Sequence, residues 1–322
     1  MWVWDAPTGV YKNHALSSKI REAAVADSLF MRYVSPEPNY GKGRGQNATI
    51  TRVMQLPLAG RVSESERLPT GRPVVDTKSI TVSEWGFKTE LTEFEESLTH
   101  FDLRSKFQRM LRDQMRLTMD KMVADALLGT PIKAVSDGAA SVAFETVATG
   151  TRLPVGTATN NLSIGALREI RDYLAGTLKA PNYKNGVYIG ILSTQAARGV
   201  KNDSEYKDWQ APTTAAPFMD GRLRDVEGIA LFETNHIAPS IALRDQGALV
   251  NAMGAGLVAG EAIFFGMDAG FLATATDPEL RVGIAEDLGR FRQIGWYGIL
   301  EAGLTWGETA NTARVIHFAS AA

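Results

Sequence analysis

Leu103-Arg-Ser-Lys-Phe-Gln-Arg-Met-Leu-Arg-Asp-Gln-Met-Arg-Leu-Thr-Met-Asp-Lys-Met-Val-Ala-Asp-Ala-Leu-Leu128 is the most strongly periodic stretch of the chain. Phe107, Met110, Leu111, Met115, Met122 and Leu127 recur at helical spacing, with Leu117, Val123 and Ala126 widening the stripe. They are the expected core of one long helix. Lys106, Arg109, Asp113, Arg116 and Asp120 recur three and four residues apart and are assigned to the opposite, wet face. Arg109 with Asp113, and Arg116 with Asp120, form i,i+4 pairs of opposite charge, each worth a few tenths of a kcal/mol. Gly129 and Pro131 stop the helix. At 1.5 Å per residue it is roughly 39 Å long, enough to run the length of a domain. The stripe reads as packing surface, so this is a scaffold helix and not a reactive site.

Upstream of the helix, Ala48–Leu56 and Val74–Val82 alternate and are rich in β-formers, with the polar run 61–73 between them. That is a long hairpin, 47–90, with too little apolar surface to be stable alone. Its tip charges Glu64, Glu66, Arg67 and Arg72 are candidates for contacts between subunits, though a solvated turn charge is worth little by itself. Residues 1–46 read as an arm carrying one short helix over about 17–31, stopped by Ser35-Pro-Glu-Pro38. Gly41-Lys-Gly-Arg-Gly45 lacks phosphate-loop spacing and reads as a connector.

Downstream, 131–160 is small and polar, with loops and short strands. A helix follows with Ser163 as N-cap and Leu167, Ile170, Leu174 and Leu178 on one face. Val187–Leu192 reads as a buried strand, Thr194–Trp209 as partly helical, and Gly221–Ile237 as strands. The last part returns to β pattern at 262–266, 289–298 and 313–318. There is no fixed-period repeat.

Composition narrows function. The 322 residues include no cysteine, four histidines (His14, His100, His236, His317), and a net charge of −2. This excludes disulfide scaffolds, thiolate metal sites and thiol nucleophiles. It also excludes a strongly basic field for wrapping nucleic acid. No local metal motif, nucleophile elbow or dinucleotide fingerprint occurs, and Gly254-Ala-Gly-Leu-Val-Ala-Gly260 has the wrong spacing. No catalytic, cofactor-binding or metal residue is assigned. No run is long and apolar enough for a membrane span, and no secretion signal opens the chain, so a soluble protein of a reducing cytoplasm is expected.

Three further segments carry a resemblance. Phe218-Met-Asp-Gly-Arg-Leu-Arg-Asp-Val-Glu-Gly-Ile-Ala-Leu-Phe-Glu-Thr234, Ala262-Ile-Phe-Phe-Gly-Met-Asp-Ala269 and Asp287-Leu-Gly-Arg-Phe-Arg-Gln-Ile-Gly-Trp-Tyr-Gly298 resemble motifs of the phage major capsid family named after coliphage N-four. Tyr297 departs from that pattern, standing where a lysine is common. The order arm, hairpin, long helix, compact α+β module and final β segment is similar to the Hong Kong 97 capsid fold.

The resemblance implies an α+β subunit with an N-terminal arm (1–46), an extended loop (47–90), and a peripheral domain with the spine helix (91–158). An axial domain (159–261) and a return to the peripheral domain (262–322) complete it. It implies a coat protein that forms hexamers and pentamers and closes an icosahedral head around double-stranded DNA without sequence-specific binding. Portal and possible scaffold or cement proteins are its implied partners. The place is the virion, after assembly in the bacterial cytoplasm. Some relatives of this fold cross-link lysine to asparagine. Lys78 and Lys88 lie in the hairpin segment, but no partner for them is legible. An encapsulin shell, a tail or decoration protein and an enzyme remain as rival readings.

Overall fold

A computed structural model describes residues 28–38, 45–56, 58–62, 64, 67–68, 70–98, 102–138, 141–152, 154–156, 158–183, 186–210, 223, 225–236, 260–284 and 286–320. In chain order the strands are β1 (Ser35–Pro38), β2 (Asn47–Val53), β3 (Val75–Thr81), β4 (Ser83–Thr92), β5 (Ile132–Ser136) and β6 (Val142–Thr146). They continue with β7 (Tyr188–Ser193), β8 (Ile229–Thr234), β9 (Gly260–Phe265), β10 (Gly270–Val282), β11 (Phe291–Leu304) and β12 (Val315–Ser320). The α-helices are α1 (Glu93–Leu98), α2 (Leu103–Leu128), α3 (Ile164–Asp172), α4 (Thr194–Asn202) and α5 (Ser204–Gln210).

Helix α2 has the bounds its periodicity dictates. Asp102 caps it by accepting a hydrogen bond from the Ser105 amide at 3.2 Å, and Gly129 follows its last residue. Such a cap satisfies one of the amide donors that a helix start leaves unpaired. Ser163 caps α3 in the same way, accepting from Ala166.

Two sheets share α2. The four-stranded sheet runs β1-β10-β11-β4, and the six-stranded sheet runs β6-β5-β12-β9-β7-β8. Towards its N-terminal half α2 packs Leu111 against Ile294 and Trp296 of β11. Towards its C-terminal half Met119, Met122, Val123 and Leu127 pack with Leu272, Leu300 and Leu304 of the first sheet. The same cluster takes in Ile189, Ile191, Ile263, Phe265 and Val315 of the second. One helix thus fastens both sheets through a single core. Its length is what permits this.

The second sheet is apolar on both faces. Alternate residues turn to α2, and their neighbours Leu192, Leu231, Ala262, Phe264, Ile316 and Phe318 turn to a cluster built with α3 and α4. Strands covered on both sides read as continuous apolar runs, which is why Tyr188–Ser193 shows no alternation. The six-stranded sheet draws strands from 91–158, 159–261 and 262–322 alike.

Several elements differ from expectation. Ser35–Pro38 forms a short strand parallel to β10. The helix expected over 17–31 lies mostly outside the described residues, and Phe30–Tyr33 is a single 3-10 turn. The connector 41–45 also lies largely outside them. The hairpin ladder, β2 with β3, ends at Thr81, and Ser83–Thr92 is a body strand paired with β11. At Gly86 of that strand a Cβ would sit 2.7 Å from the Trp296 carbonyl oxygen, so the close approach of β4 to β11 needs glycine there. The long strand β10 went unread because Asp277 and Pro278 interrupt it. The chain absorbs them in irregularities between Thr274 and Glu279.

Asp120 overturns the assignment of the wet face of α2. It is fully buried, and its carboxylate accepts from the Leu29 amide (3.2 Å), the Met31 amide (3.1 Å) and His236 Nδ1 (2.8 Å). Arg116, its expected i,i+4 partner, donates to Ser28 Oγ at 2.8 Å. Spacing explains the burial: Asp120 precedes Val123, Ala124 and Leu127 by three, four and seven residues, so it lies on the apolar stripe. Asp120→Ala would leave three partly buried donors without an acceptor. It is expected to cost about 3–5 kcal/mol, read as a lower urea midpoint with an unchanged slope.

Candidate assembly surfaces

The β2–β3 hairpin is held to the body along its ladder and bare beyond it. At the base, Ala48, Ile50, Ile80 and Val82 cluster with Phe271, Ala273 and Ile299 of β10 and β11. Beside this cluster Arg52, 4 % exposed, donates to the Thr305 carbonyl (3.0 Å) and pairs with Asp76 and with Glu308 (2.9 Å). Lys78 reaches Glu308 at 3.3 Å. The hydrogen bond from Arg52, aided by Lys78, holds the Glu308 carboxyl below its ordinary range. Two guanidinium groups lie over the Trp306 ring, Arg52 at 5.3 Å and Arg314 at 4.2 Å, and its Nε1 donates to Asp268. Cation–π contacts of this kind strengthen as they lose water.

Past the last rung, where the Met54 amide donates to the Val74 carbonyl, apolar side chains stand uncovered. Leu56 is 50 % exposed, Leu58 92 % and Leu68 77 %. Glu64, Arg67 and Arg72 are exposed in the same segment, and Glu66 lies outside the described residues. Among the described residues, Glu64, Arg67 and Arg72 meet no partner within the subunit. Sequence marked the hairpin and its charged tip but missed the apolar residues, whose signal was their lack of any partner stripe.

A second bare surface lies along α2. Phe87 and Thr89 of β4 with Phe107, Met110, Leu111 and Gln114 of α2 line an open cleft of about 290 Å³. Here the expected helix core needs correction. Leu111, Met122 and Leu127 are buried and Met115 is half-buried, but Met110 is 57 % exposed and Phe107 only half-buried. Sheet and helix diverge at this end, so the stripe is wider than the surface the subunit offers it. Phe94 on α1 adds to the apolar exposure nearby, among Glu93, Glu95 and Glu96.

The edges of the four-stranded sheet are unequal. β1 is short and carries Pro36 and Pro38, residues that block strand addition. β4 offers ten residues without proline, and among the described residues no strand pairs with its outer side. Of the two hairpin-segment lysines, Lys78 is engaged with Glu308, and Lys88 is exposed beside Gln293 (3.2 Å) and Glu90.

Among the described residues no group of three or more histidine, aspartate and glutamate side chains could hold a metal. No helix among them is long and apolar enough to cross a membrane. His236 and His317, the two described histidines, are engaged with buried carboxylates rather than with a cleft.

No protein-family model matches the chain, and no curated protein matches it in sequence. Solved structures do match in shape. The capsid asymmetric unit of cyanophage Pam1 superposes with a TM-score of 0.71 at 14 % identity, over 96 % of this chain and 97 % of that one. The capsid of Ralstonia phage GP4 gives 0.65 at 16 % identity, over 98 % and 96 %. The acid-stable capsid of Helicobacter pylori bacteriophage KHP30 gives 0.65 at 15 % identity, over 96 % and 95 %. Identity this low speaks for architecture alone, and coverage this complete leaves no large segment of either chain unmatched. The described residues have the α+β fold of phage capsid subunits.

Proposed function

We propose that this protein is the major capsid protein of a tailed double-stranded DNA phage, of the Hong Kong 97 fold and related to the coliphage N-four type. Its copies form hexamers and pentamers that close an icosahedral head. The observation that carries the reading is a projecting hairpin with an uncovered apolar tip on a body of capsid fold. A hairpin of this kind is marginal in water unless something covers it, and a second copy is the available cover. Laid across the neighbouring α2, the tip would bring Leu56, Leu58 and Leu68 to the cleft at Phe107 and Met110. It would bring Arg67 and Arg72 towards the acidic α1. Glu64 and Glu66 belong to the same contact. Such heterologous contacts close into rings when the rotation allows.

In this reading 1–46 is the arm, 47–90 the extended loop with its last residues from Ser83 entering body strand β4, 91–158 with 262–322 the peripheral domain, and 159–261 the axial domain. The role is structural and not enzymatic, the place is the virion after assembly in the host cytoplasm, and portal with scaffold or cement proteins are partners. A net charge of −2 suits a wall that encloses DNA without gripping it. Electron micrographs of the purified protein should show closed shells of uniform size. Isolated subunits at every concentration and salt tried would overturn the reading.

A further inference from the structure

Beneath the last turn of α2 lies a ring of charge apart from the surfaces described above. Strand alternation turns Lys133 of β5, His317 of β12 and Glu261 of β9 to the α2 side of the six-stranded sheet, and each is at most 1 % exposed. Lys133 and His317 are register partners. Lys133 Nζ donates to the Leu128 carbonyl, at the end of α2, and lies 3.2 Å from His317 Nδ1. His317 Nε2 faces Glu261 Oε1 at 3.7 Å, and Glu261 Oε2 faces Arg152 at 3.7 Å. Arg152 then bonds Asp125, back on α2, at 2.5 Å. The ring therefore starts and ends on one helix turn and passes through three strands between.

Its protons follow from its geometry. Protonated Lys133 is a donor only, so His317 Nδ1 then accepts, and the imidazole proton sits on Nε2 towards Glu261. With His317 neutral, the charges of Lys133, Glu261, Arg152 and Asp125 cancel. A second proton on the imidazole would set a third cation among Lys133 and Arg152 in a dry site. That proton would go to Nδ1, the nitrogen that accepts from Lys133, so taking it up abolishes this contact. His317 Nε2 and Glu261 Oε2 are buried with no hydrogen-bond partner.

We propose that this ring is a proton-set clasp that fastens the end of α2 to the six-stranded sheet while His317 is neutral, and that loosens when the imidazole takes up a proton. Burial, and after it Lys133 and Arg152, push the His317 imidazole well below its ordinary range. Burial brings Lys133 down to about 7 and pushes the Glu261 carboxyl up.

The signs differ by residue. Unfolded, the imidazole takes a proton below about 6.5. The folded form refuses it, so the folding equilibrium constant falls by up to about tenfold per pH unit below that value. Glu261 opposes this, because the folded form binds its proton more readily than the unfolded chain, and its contribution is lost as pH rises. Lys133 adds stability as pH rises from about 7 towards its unfolded value of about 10.4.

The clasp concerns the single subunit, so its test does not depend on shell assembly. His317→Gln preserves an acceptor for Lys133 and a donor for Glu261 but cannot be protonated. Its melting temperature should equal that of the wild type at pH 7.5 and exceed it at pH 5. Equal differences at both values would overturn the proposal. Should that variant fail to fold, histidine NMR of the wild type decides. One imidazole staying neutral down to pH 5 supports the clasp, and His317 titrating near 6.5 ends it.

Discussion

Leu127→Asp is expected to leave no folded subunit. Leu127 is 1 % exposed in the cluster that joins α2 to both sheets. Truncating a buried leucine alone costs about 2–5 kcal/mol, and an unpaired carboxylate in the same place adds several more. Total stability of a domain is about 5–15 kcal/mol, so little or nothing remains. Soluble expression and the far-UV signal of purified material check this, and a native-like melt would show that α2 is not the shared core. Leu111→Asp separates the ends of the helix. Leu111 is nearly as buried but borders the open cleft, where a carboxylate can turn to water. Its cost should be the smaller, about 2–4 kcal/mol, with a measurable urea transition.

Deleting residues 61–73 should do the opposite, sparing the fold and removing assembly. The ladder rung between Met54 and Val74 and the Arg52 contacts with Thr305 and Glu308 all lie below the cut. Exposed loop residues away from packed features contribute within about 0.5 kcal/mol, so the melting temperature should barely move. Shells should be absent or malformed in micrographs under conditions where the full chain forms them. Efficient, regular shells from the deleted chain would show that the tip is not a contact between copies.

The scaffold was legible where one signal dominated. The spine helix follows from periodicity and a terminal glycine, the buried strand at 188–193 from an apolar run after Asn185-Gly186, and the hairpin from alternation on both sides of a polar tip. What escaped was set by distant pairing. Asp120 obeys the helical spacing of a core residue but carries a charge, and only its meeting with Leu29, Met31 and His236 makes that position habitable. Lys133 sits in a wholly buried strand for the same kind of reason. β10 hid behind Asp277 and Pro278. The candidate surfaces were half legible: charges at the tip can be read from the sequence, whereas the exposure of Met110 depends on how far β4 splays from α2.

Trp306, in contact with Arg52 and Arg314, gives the hairpin a mounting. Arg52 faces Asp76 one rung short of the end of the ladder, and the cluster of Ala48, Ile50, Ile80 and Val82 fixes the other end, so the ladder is pinned to the body at both ends. Only the segment beyond Met54 and Val74 is left to change direction. In the proposed shell, that segment can meet neighbours at slightly different angles while its roots, and both sheets, keep their packing.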